Sequence, residues 1–145
     1  MRLAGLAIAV LVLAASAAAA NPVRATMTTS SAEPVADQPW RWTVTVKNAA
    51  GKPIAAKMRL QILLGLTVVG CWKGTAMTQC SGAKAGTWIV FRGKRSGVLT
   101  WPAQSVGIKL TFQAVVVADT QTLRLRSPVT VRAAPSALSS TSART

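Results

Sequence analysis

The sequence predicts an all-β fold, a two-sheet antiparallel sandwich of about seven to eight short strands. Three observations predict it. Apolar and polar residues alternate with period two over several stretches. Turn-forming Gly, Pro, Asn and Asp separate those stretches, and no amphipathic helical pattern appears after residue 20. A chain of 145 residues with 50% hydrophobic content can enclose the core of one domain.

Residues 1–20 read as a signal peptide. Met1-Arg2 gives a minimal positive start, Leu3–Ala14 is an unbroken apolar run, and Ala18-Ala19-Ala20 fits a small-x-small cleavage pattern. The apolar run is short for a membrane span. The expectation is export, with cleavage near Ala20, to a secreted, periplasmic or other extracytoplasmic location. The mature chain would then have a folded domain at 21–133, a disordered Ala/Ser/Thr-rich tail at 134–145, and no transmembrane segment.

Val23–Thr29 alternates weakly, as an edge strand would, and Ser30–Pro39 reads as a loop. Trp40–Lys47 alternates cleanly, with Trp40, Trp42, Val44 and Val46 on the core side. Asn48–Pro53 is a turn. In Ala56–Leu64, Met58, Leu60, Ile62 and Leu64 take the core parity and Lys57, Arg59 and Gln61 the outward one. Gly65 breaks the run, and Leu66–Lys73 returns. A polar loop follows from Lys73 to Gly86. Thr87–Phe91 is apolar on both parities, as a strand covered on both faces would be, with Trp88 in the core. Gly93–Gly97 reads as a hairpin loop leading to a strand at Val98–Trp101. The last hairpin spans Ile108 to Arg132. Its core parity holds Ile108, Leu110, Phe112, Ala114, Val116, Leu123, Leu125, Val129 and Val131, and its turn is Ala118–Gln121.

Across Trp40–Arg132 the chain resembles the immunoglobulin-like or fibronectin type III-like domains of bacterial exported proteins. The resemblance rests on the Trp40–Val46 strand with its Asn48–Pro53 turn, and on the closing Thr122–Arg132 strand with Pro128-Val129-Thr130-Val131. It implies an immunoglobulin-like sandwich and no particular activity, because that scaffold serves many functions. The resemblance also implies that the third strand lies beside the seventh, and the seventh beside the eighth.

The chemistry available is narrow. The chain has no His and 3 acidic residues, so the common general-base and nucleophile pairings lack their parts, and no catalytic residues or enzyme activity are expected. Cys71 and Cys80, the two cysteines, read as a disulfide in an exported chain. Met27, Met58 and Met77 without any His make a poor donor set for copper, and neither metal nor cofactor is expected.

Charge is the remaining signal. With 17 Lys and Arg against 3 Asp and Glu, the net charge is +14, and the leader removes a single one of these cations, Arg2. Such a balance favours polyanions, and export sets nucleic acid aside as a partner in vivo. The strand order would gather Lys57 and Arg59, Lys109, and Arg124 and Arg126 on one sheet face as a basic, amide-rich lattice without an acid. Like charges on neighbouring strands carry a cost, which binding an anion would offset. The alternative is a solvated face with counterions. Trp72 and Trp101 lie at strand ends where a ring could be exposed, and Trp72 is the candidate for stacking on a ligand. The expected function is therefore a non-catalytic envelope module that contacts an anionic polymer or another exported protein. A small-ligand or metal carrier using the Cys71–Cys80 loop is the alternative.

Overall fold

The computed structural model describes residues 22–135. The expected signal peptide at 1–20 lies outside them, as does the tail from residue 136. Nine strands form two antiparallel sheets, consistent with a β-sandwich. The smaller sheet holds β1 (Arg24–Thr29), β2 (Pro39–Lys47) and β7 (Lys94–Thr100), in the order β1-β2-β7. In the larger sheet are β3 (Ala55–Leu64), β4 (Thr67–Lys73), β5 (Ala76–Gln79), β8 (Lys109–Ala118) and β9 (Gln121–Thr130), in the order β5-β4-β3-β8-β9. The short β6 (Ile89–Arg92) pairs with the first half of β3, beside the stretch that β4 takes. One 3-10 turn at Ala103–Ser105 interrupts the approach to β8. Among the described residues no helix is long and apolar enough to cross a membrane.

The alternation works as the sequence predicts on β2, on β3 as far as Leu60 and on β8 from Phe112. A register shift after Ile62, however, buries Leu63 and leaves the expected core residue Leu64 50% exposed, and Ile108 is exposed as well. Trp40, Trp42, Val44 and Val46 from β2 face Met58 and Leu60 from β3 and Phe112, Ala114 and Val116 from β8, all buried. Trp40 packs edge-to-face on Trp101 and on Phe112, at 5.4 and 5.1 Å between ring centroids, and donates its indole N–H to the Ser31 carbonyl. Such geometry brings the positive ring edge onto the negative face of its neighbour. The β8–β9 hairpin turns through Asp119 and Thr120, at φ 46° and 63°. Two consecutive left-handed residues match the twist of the strands they join. The Asn48 side chain closes the β2–β3 turn by accepting from the Lys52 N–H at 2.9 Å.

Several expectations are corrected. There are nine strands, not seven or eight, because β5 forms inside the predicted Lys73–Gly86 loop by pairing with β4. Gly93–Gly97 is not a hairpin loop: Lys94–Gly97 belongs to β7, which pairs with β2, whereas β6 pairs with β3. The chain crosses from one sheet to the other at Gly93, whose φ of 72° and closeness to Pro53 exclude a side chain. Gly97 serves differently, since a Cβ there would lie 2.7 Å from Trp42 Cε2. Thr87–Phe91 is not covered on both faces, because Val90 sits on the edge strand β6 and is 77% exposed. Trp101 is fully buried rather than exposed.

Candidate functional site

The outward face of β3, β8 and β9 positions the basic residues. β3 lies beside β8 and β8 beside β9, with Arg59 opposite Val115 and Val115 opposite Arg124. The next row is Gln61, Gln113 and Arg126. Neighbouring strands are about 4.8 Å apart, so Arg59 and Arg124 stand about 10 Å from one another at the backbone, close to the screening length at physiological salt. Their fields overlap only in part at physiological salt and more fully at low salt. The strands β3, β8 and β9 contain no Asp or Glu. Among the described residues the ion pair is Arg132 with Glu33, at 3.3 Å and well exposed.

Half of this face is roofed. The segment after β5 folds back over it, tied by the Cys71–Cys80 disulfide, by Thr87 N–H donating to the Trp72 carbonyl at 2.8 Å, and by Gln61. Gln61 Nε2 donates to the Ala83 and Ala85 carbonyls at 3.0 and 2.8 Å. Gln113 Nε2 donates to Gln61 Oε1 at 2.9 Å, and Arg126 Nε to Gln113 Oε1 at 2.7 Å. A single chain of hydrogen bonds thus runs from a surface guanidinium across three strands to the loop. Each amide in it gives and receives, which is the condition for burying such groups. The amide-rich part of the expected open lattice is corrected: Gln61 and Gln113 are buried beneath the loop. The disulfide closes a separation of 9 residues, worth roughly 2.5–3 kcal/mol by chain entropy.

Trp88 is the residue that the sequence misplaced. It is not in the core but half-buried outside the sheet, with Lys57 Nζ 4.5 Å and the Arg59 guanidinium carbon 4.0 Å from its ring centre. Each cation over an aromatic face gains about 0.5–2 kcal/mol, depending on desolvation. Arg59 Nε is buried there without a hydrogen-bond partner, so the ring and not a carboxylate holds this side chain. The result is two cations fixed side by side with their charge unneutralised. A signal existed in the sequence. Cys71 pairs with Gln61 in the β3–β4 register, so its disulfide to the loop draws that loop over the face carrying Gln61. Val115 and Val117, apolar on the outward parity, mark the same cover.

The chain matches no known family model and no curated protein. Its function must be argued from these residues alone. Lys57, Arg59, Arg124 and Arg126 are brought together; Lys109 and Trp72 are not with them. Lys109 lies six residues before Val115 on β8, about 20 Å away along the strand, where it lines a cavity with Glu33. Trp72 is half-buried against the core between the sheets. Both sulfurs of Cys71 and Cys80 are spent in the disulfide, so they offer no thiolate to a metal.

Proposed function

We propose that the chain is an exported, non-catalytic module of a bacterial cell envelope, on an immunoglobulin-like sandwich, and that its β3–β8–β9 face holds an anionic envelope polymer. The observation that carries it is the Lys57–Arg59 pair fixed over Trp88 beside Arg124 and Arg126, on strands without a carboxylate. Fixing the side chains in advance lowers the ordering cost of binding. The leader-like residues 1–20, the disulfide and the net charge of +14 support export and an acidic partner.

Retention on an immobilised polyuronate tests it. Reversing Lys57, Arg59, Arg124 and Arg126 to Glu is expected to abolish salt-sensitive retention. Reversing four cations on other strands, Arg24, Arg41, Lys94 and Arg95, is expected to leave retention in place, although the net charge falls equally. Equal losses in the two variants, or unchanged retention in the first, contradict a role for this face.

A further inference from the structure

A second cationic site stands apart from that face, at the corner where β6 crosses into β7. There Thr45, Lys47, Pro53, Arg92, Gly93 and Lys94 line an open cavity of about 390 Å³, within the size range of small-ligand sites. Thr45 and Lys94 are opposite one another in the β2–β7 register, and Lys47 is opposite Arg24 on β1. Like charges facing each other across strands destabilise a sheet, and here several cations crowd one concavity with no carboxylate lining it.

The corner is rigid. Gly93 accepts from the Val46 N–H at 2.6 Å and donates to the Ile54 carbonyl at 3.0 Å, so its carbonyl is already engaged and does not face an incoming anion unpaired. The left-handed conformation of Gly93, pressed on Pro53, sets Arg92 and Lys94 on either side of a sharp crossing. They converge on one volume although their strands belong to different sheets.

We infer that this corner binds a phosphate dianion, either inorganic phosphate or the terminal phosphomonoester of a small molecule. A guanidinium, two ammonium groups and a hydroxyl suit a compact oxyanion with several oxygens and two charges, better than a singly charged diester. The site shares no residue with the β3–β8–β9 face.

The experiment uses the full exported chain, labelled with ¹⁵N, titrated with inorganic phosphate at fixed low ionic strength. The amides of Thr45, Gly93 and Lys94 are expected to shift and saturate, while chloride at matched ionic strength does not reproduce the shifts. Arg92→Gln or Lys94→Gln should weaken phosphate binding at least tenfold with the spectrum of the fold preserved, and Arg124→Gln should leave it unchanged. Glycerol phosphate is expected to bind like inorganic phosphate, and dimethyl phosphate about tenfold more weakly. If only one of inorganic phosphate and glycerol phosphate binds, the source of the dianion is the free ion or the ester accordingly; if neither binds, the assignment is overturned. Shifts that chloride matches, unchanged binding in both corner variants, or equal binding of dimethyl phosphate also overturn it.

Discussion

Phe112→Ala is expected to cost about 3–5 kcal/mol, the range for removing a fully buried aromatic ring. Phe112 comes from β8, an interior strand of the larger sheet between β3 and β9, and is wholly buried. Its ring meets Trp40 edge-on at 5.1 Å and Trp42 at 6.2 Å, both from β2 in the middle of the smaller sheet. It is therefore a bridge between the sheets. The space it leaves cannot easily collapse, because Trp40 is anchored by its 2.9 Å bond to the Ser31 carbonyl and by Trp101 on another side. Urea unfolding followed by tryptophan fluorescence measures the loss, with an unchanged slope reporting an unchanged unfolding transition. A loss below about 1 kcal/mol would place the contact between the sheets elsewhere.

Gln61→Leu is expected to cost about 2–4 kcal/mol, although Leu is of similar size and apolar. The substitution leaves the Ala83 and Ala85 carbonyls and one Gln113 N–H without their partners. Each orphaned buried group costs about 1–3 kcal/mol, and the loop carbonyls recover part of this by reaching water. The effect should be local as well as global. Amide exchange at Ala85 and Thr87 should accelerate more than exchange in β2, because the loop loses its tie to the sheet while the main core is untouched. Uniform acceleration across the chain would mean that the loop has no independent attachment through Gln61.

The parts of this fold that were legible in the sequence are those whose two sides meet different environments. β2 alternates because one side meets Phe112 and Met58 and the other meets solvent, and the β8–β9 turn shows because its polar residues break two apolar rhythms. The crossing at Gly93 was not legible. Glycine answers two different demands, a left-handed φ at Gly93 and room for an indole at Gly97, and a sequence does not say which applies. The outward face misled for another reason. Parity tells on which side of a sheet a residue lies but not what covers that side, so Gln61 and Gln113 read as solvated while the disulfide loop buries them. Trp88 read as core for its apolar neighbours, and its partners are Lys57 and Arg59, distant in sequence.

The most direct test of the basic face is the salt dependence of polyuronate affinity, measured for the chain and for its single Gln variants. Four cations each releasing about 0.7 of a counterion give a slope of about −3 in log affinity against log salt. Arg124→Gln and Arg126→Gln should each make that slope shallower by about 0.7, and Arg92→Gln should not change it. A slope near zero, or one that responds equally to all three substitutions, would contradict binding at this face.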